Sequence, residues 1–274
     1  MKATWSYKIW QIAYPIGMYY VVSSLVYFVL TLFMGSSNAT YMQRQLICAM
    51  ATIPVVSSFY REDSRIRETV YGKKQPFSFH QVKTAVICLF VGAMLGMAVN
   101  NLLAMTPLMQ VSEGFREANE AFFGGRMLYE LLGSCLVVPI VEELLFRGVV
   151  YRRLQVFFGD KRALVWSAVL FGLLHFNLVQ FLYAGILGLL LAVLVQKSGE
   201  LSAAVLAHIA ANTAAVLRQE TGWFAFSYQP TIEGLGFTTL LLFAGLSVLW
   251  IAFFRKSRKR GCKKTPLTEK SPRP

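Results

Sequence analysis

Runs of about 20 apolar residues recur along the whole chain, and this repetition restricts what it can fold into. Eight of them lie near residues 9–34, 41–59, 84–107, 127–150, 163–176, 178–195, 201–217 and 235–254. The fifth and seventh are short. In hydrocarbon a backbone must satisfy its own polar groups, so runs of this kind read as spanning helices. Charged residues make up only 15% of the chain, against about 25% in soluble domains. The expected class is therefore all-α, a polytopic membrane protein with about eight transmembrane helices. Soluble and disordered classes are excluded. The first run is too long for a signal sequence and lacks a small-residue cleavage pattern, so its removal is not expected. Cys48, Cys88, Cys135 and Cys262 stand apart, with no CxxC, which argues against a disulfide framework and a cysteine zinc site.

Lys and Arg number 27 against 14 Asp and Glu. In a membrane protein such a surplus is a topology signal, and it needs no nucleic-acid partner. Lys2 and Lys8, the stretch from Arg61 to Lys83, the stretch from Arg147 to Arg162, Lys197 and the tail from Arg255 all fall on one side of an eight-span arrangement. Only Arg116, Arg126 and Arg218 fall opposite. The expectation is that both termini are cytoplasmic. Residues 255–274 read as a basic cytoplasmic tail beside anionic lipid. Arg44, near the end of the second run, is expected to snorkel. His80 falls in a basic loop and reads as solvated. Residues 106–126, with Glu113, Glu117 and Glu120 interleaved with Phe115, Phe122 and Phe123, fit either an interfacial amphipathic helix or a plain loop. No internal repeat of the kind found in transporters is evident.

A charged group at bilayer depth costs about 2.5–3.5 kcal/mol or more, so it needs a partner or a task. Such groups gather in the C-terminal half: Glu142, Glu143 and Arg147 in the fourth run, His175 in the fifth, His208 and Asn212 in the seventh. Adjacent helical residues point about 100° apart, so Glu142 and Glu143 cannot share one direction. Glu143 and Arg147 are spaced for an i,i+4 ion pair in its favourable order. That pairing leaves Glu142 to face the bundle. Pro139 removes an intrahelical bond to the Cys135 carbonyl and tends to kink the helix. Phe171 and His175 share a face, and alanines along the seventh run let it approach the fourth closely.

A carboxylate beside an imidazole in a water-restricted cavity can deprotonate water. An imidazole with an amide four residues on, as at His208 and Asn212, offers two neutral donors to a tetrahedral oxyanion. Together these would hydrolyse an amide without a covalent intermediate. No GxSxG or HExxH is present. A zinc site of Glu and His remains the less favoured alternative.

Glu142-Glu143-Leu144-Leu145-Phe146-Arg147 is EExxxR, Phe171 to His175 is FxxxH, and His208 to Asn212 is HxxxN. In order and spacing these resemble the CPBP family, the CAAX proteases and bacteriocin-processing enzymes, which includes the type II CAAX prenyl endopeptidases. The resemblance spans roughly residues 125–217. It implies an eight-helix intramembrane endopeptidase acting on a membrane-associated peptide or protein. It also implies that Glu142 and His175 activate water, that His208 and Asn212 form the oxyanion hole, and that Glu143, Arg147 and Phe171 support them. No cofactor is expected, although an older description of the family as metal-dependent keeps zinc in view. The chain divides into residues 1–124 (three helices and loops), 125–217 (a catalytic core), 218–254 (a loop and the last helix) and 255–274 (the tail). The lack of large inserted loops suggests a prokaryotic cell membrane, where bacteriocin or pheromone peptides and small membrane proteins are the family's substrates. The competing readings are a non-catalytic membrane partner on the same fold, such as an immunity or sensor-regulating protein, and a proton-coupled transporter. Helix lengths put His175 deeper than Glu142 and His208, and the cavity is expected to open towards the cytoplasm.

Overall fold

The computed structural model describes residues 4–71 and 79–255, apart from the side chains of 70–71 and 79–81. The expectations for the side chain of His80 and for the tail beyond residue 255 lie outside the described residues. Every regular element among these residues is helical. In chain order they are α1 (Trp5–Met34), α2 (Tyr41–Tyr71), α3 (Phe79–Ala104) and a short α4 (Glu113–Phe122). A continuous run over 127–158 forms α5, in which α-helical turns alternate with π-helical segments Leu131–Val137 and Leu144–Val150. Then follow α6 (Asp160–Leu173), α7 (Leu178–Ser198), α8 (Leu201–Thr221) and α9 (Ile232–Leu249, prolonged as a π turn through Phe254).

Each of the eight expected runs overlaps one helix among the described residues. Five of them, Trp5–Met34, Val82–Ala104, Leu178–Ser198, Leu201–Thr221 and Ile232–Phe254, are long and apolar enough to cross a membrane. The protein is thus an all-α, polytopic membrane protein. The other three helices differ for physical reasons. Polar residues fill the second half of α2, α5 carries Glu130, Glu142, Glu143 and Arg147, and α6 has only 14 residues.

Local sequence sets the helix ends. Asn177 caps α7 by accepting from the Gln180 N–H at 2.8 Å, and Gly199 and Gly222 close α7 and α8 in the left-handed conformation. The α4 helix is amphipathic as one of the two readings of 106–126 had it. Phe115 and Phe122 are half-buried, and Glu113, Glu117 and Glu120 face outward.

The core joins α2, α3, α5, α6, α7, α8 and α9 in one cluster that includes Val56, Cys88, Val141, Phe171, Leu191, Ala207 and Leu249. The alanines of α8 serve a second partner besides the expected α5. Gly96 of α3 lies against Ala211, and a Cβ on Gly92 would land on the Ala207 carbonyl. The small-residue seam therefore draws α8 onto α3, and His208 and Asn212 reach α5 from its flank. Two charge assignments also change. Arg44 is buried rather than snorkelling. Its Nη1 donates to the Gly35 carbonyl at 2.6 Å and its Nη2 to the Tyr27 hydroxyl at 3.3 Å, which ties the α1–α2 connection to the bundle. Arg218 is buried in α8, donating to Asn100 at 2.6 Å and to Asn101, which itself donates to Ser227 and Thr238. At the opposite end Arg153 grips Asp63 through two bonds of 2.9 and 3.0 Å and donates to the Gln11 carbonyl. Cys48, Cys88 and Cys135 are free and buried.

Gly92→Ala should destabilise the bundle by about 1–3 kcal/mol, since the added methyl meets backbone rather than a movable side chain. Thermal unfolding in detergent reads this as a lowered Tm. Gly236→Ala, with open space around it, should leave Tm unchanged or slightly raised.

Candidate active site

Glu143 is fully buried in α5, and its Oε1 accepts two charge-assisted hydrogen bonds. One comes from Arg147 Nη1 at 2.8 Å, one turn along the same helix. The other comes from His208 Nδ1 of α8 at 2.9 Å. Arg147 continues the chain of contacts by donating Nη2 to the Gly188 carbonyl of α7 at 2.9 Å. Only a glycine fits there, because a Cβ would stand 2.9 Å from that nitrogen and 3.0 Å from the Phe171 ring. The guanidinium also lies 4.4 Å from the centre of the Phe171 ring, a cation–π contact from α6. A single i,i+4 pair thus becomes the junction of four helices.

Adjacent side chains diverge, as the helix requires. Glu142 points away from the junction and keeps some exposure, with its Oε2 3.9 Å from His208 Nε2. That is beyond hydrogen-bond reach and within the span of one bridging water. His208 therefore stands between the two carboxylates, fixed through Nδ1 to the buried one and aimed through Nε2 at the other. A carboxylate can only accept, so Nδ1 carries the proton. Nε2 then donates only when the ring is protonated.

His175 lies outside the helix in which it was expected. The α6 helix stops at Leu173, and His175 occupies the turn before α7, followed by Phe176 at φ +60°. Its Nδ1 donates to the Phe171 carbonyl at 2.9 Å, which leaves Nε2 as the basic nitrogen. Gly159, at φ +78°, separates α5 from α6. The Phe171 ring gathers both imidazoles, edge to face, with centroids 5.0 Å from His175 and 5.8 Å from His208.

Asn212 is placed by a proline one helix away. In the first π segment the Val138 N–H reaches back to the Gly133 carbonyl. The next bond of that register would run from residue 139 to Ser134, and Pro139 has no N–H to give. The Ser134 carbonyl accepts instead from Asn212 Nδ2 at 2.8 Å. The carbonyl affected is thus that of Ser134 rather than Cys135, because the helix is wound as π and not α at this point. One amide hydrogen of Asn212 is engaged and the other remains to donate. Two such π segments flanking Glu142 and Glu143 fit the tendency of π turns to mark functional sites.

Among the described residues, no three His, Cys, Asp or Glu side chains come close enough together to hold a metal ion. Tyr19 and Tyr20 of α1 are additions that the sequence reading missed. The Tyr20 hydroxyl donates to the Leu174 carbonyl at 2.9 Å, beside the turn that carries His175, and the Tyr19 ring meets that of Tyr20 at 5.1 Å. No motif marks them, since α1 lies outside the region of resemblance.

Fold and site together define a helical membrane protein with a buried Glu–Arg–His junction beneath a second, accessible glutamate. Residues 124–214 match the family model described as type II CAAX prenyl endopeptidase Rce1-like, which is the region that carries all three motifs. No curated protein matched the chain, and no solved structure matched it.

Glu143→Gln should lower stability by about 3–5 kcal/mol, because it leaves Arg147 buried beside a neutral amide. Glu142→Gln, at a partly exposed position, should leave the unfolding temperature within error of wild type. Thermal scans of the two purified variants make the comparison.

Proposed function

We propose that the protein is an intramembrane endopeptidase that hydrolyses a peptide bond of a membrane-associated peptide or protein with activated water. The observation that carries this reading is the approach of Glu142 to His208, with Glu143 fixing the far side of the ring. Glu142 takes a proton from a water held between it and His208 Nε2, and the oxygen attacks the substrate carbonyl. His208, as imidazolium, and the second amide hydrogen of Asn212 stabilise the oxyanion. Glu142 then returns its proton to the departing amine. His175, whose Nδ1 is held by the Phe171 carbonyl, acts as the second base through Nε2. The family match supports the reaction class at the level of a CAAX-protease-type endopeptidase.

No metal enters this scheme. The charge placement described above supports cytoplasmic termini and, with the compact chain, a prokaryotic membrane. A non-catalytic partner on this fold would not need Glu142 to be ionisable, and that separates the two readings.

Comparative proteomics of cells carrying wild type or Glu142→Gln should show one precursor accumulating in the variant. Equal processing in both removes the glutamate mechanism. With that precursor as substrate, Asn212→Ala should reduce kcat by about 10²–10³, as for loss of an oxyanion donor. A chelator should leave the wild-type rate unchanged. Chelation that abolishes activity, with recovery on adding zinc, would overturn the metal-free scheme.

A further inference from the structure

We propose that the cavity between α1, α2 and the 174–177 turn binds an extended polypeptide segment that enters from the side of the α1–α2 connection. The proposal rests on the peptide-hydrolase reading and supplies its substrate site. The cavity has a volume of about 530 Å³, and its lining includes Tyr19, Tyr20, Ser24, Thr31, Gln45 and Phe176. Hydroxyls and an amide form this wall of a helix whose other faces carry exposed Val21, Leu25, Val29, Leu32 and Phe33.

Phe28 and Phe176 also line the cavity and would serve a lipid tail equally, whereas the hydroxyls and the Gln45 amide serve only a peptide. An unwound peptide needs them, because backbone N–H and C=O groups at membrane depth must find partners. From Tyr20 to Thr31 the groove runs about 16 Å along α1, the length of about five extended residues. Its inner end meets the reactive cluster. Tyr20 donates to the Leu174 carbonyl and its ring meets Phe176 at 5.9 Å, on the two sides of His175 in the chain. Its outer end approaches the α1–α2 connection, away from the N-terminus of α1. This differs from the cytoplasmic opening expected from sequence. The α1 helix is also lightly held, with Pro15 its one buried residue among those described. A peptide can therefore lie beside it without opening the core.

The test uses protein with its four native cysteines replaced by alanine, reconstituted in sealed vesicles. Ser24→Cys and Thr31→Cys report on the cavity, Ser36→Cys marks the side of the α1–α2 connection, and Ser6→Cys marks the other side. A membrane-impermeant sulfonated thiosulfonate should modify Thr31→Cys and Ser24→Cys from the Ser36→Cys side. A bromoacetylated Leu-Ala tetrapeptide should alkylate Ser24→Cys about tenfold faster than its backbone N-methylated counterpart, the discrimination that one or two net hydrogen bonds supply. Gln45→Leu should remove most of that preference. Modification only from the Ser6→Cys side, no modification, or equal rates for the two peptides would overturn the proposal. Alkylation needs no turnover and should persist in Glu142→Gln, so a failure here is distinct from a failure of the hydrolytic reading.

Discussion

The buried carboxylate of Glu143 holds the centre of this protein together. An isolated charge at this depth would be strongly disfavoured, and one oxygen resolves the problem by accepting from both Arg147 and His208. The guanidinium then needs further partners and finds the Gly188 carbonyl and the Phe171 face. Through these contacts α5, α6, α7 and α8 are set relative to one another by polar geometry. In a membrane, where apolar packing alone discriminates poorly between helix faces, such a junction fixes rotation as well as position. Glu142 is left out of it and faces His208 for that reason.

Helix winding provides the second constraint. A regular α-helix through 131–150 would place its side chains in a different rotational register. The two π segments shift the phase on either side of the glutamates, and Pro139 turns the first shift into a bond with Asn212. The same segment thus carries Glu142, orients the ring of His208 through Glu143, and anchors the amide beside it. Gly92 and Gly96 complete the arrangement from outside the motif region by drawing α8 against α3.

Much of this was legible in the sequence, at the level where residue chemistry and periodicity decide. The apolar runs gave the helices, and i,i+4 spacing gave the Glu143–Arg147 pair. The divergence of adjacent side chains separated the two glutamates. Intramembrane polarity picked out His175, His208 and Asn212, and the resemblance gave them roles, without placing them. What stayed hidden depended on winding and on long-range partners. Periodicity assumes 3.6 residues per turn, so it assigned the orphan carbonyl to Cys135 instead of Ser134. The end of α6 at Leu173 put His175 on a turn. Arg44 was expected to snorkel and Arg218 gave no sign of burial, because their partners, the carbonyl of Gly35 and the side chains of Asn100 and Asn101, lie on other segments. Tyr19 and Tyr20 carry no local signature at all.

The central claim is that Glu143 serves structure through Arg147 and reactivity through His208, two roles that one variant can separate. The measurement is the unfolding free energy and precursor-processing rate of the double variant Glu143→Leu, Arg147→Met, set against each single change. Replacing a whole buried pair by apolar residues of similar volume is often neutral or stabilising, while breaking it costs about 3–5 kcal/mol. The account predicts that the double variant recovers most of the stability lost in the single variants yet stays inactive, because His208 has lost the carboxylate that orients it. Additive destabilisation would contradict the ion pair, and a double variant that is both stable and active would contradict the role given to Glu143 behind His208.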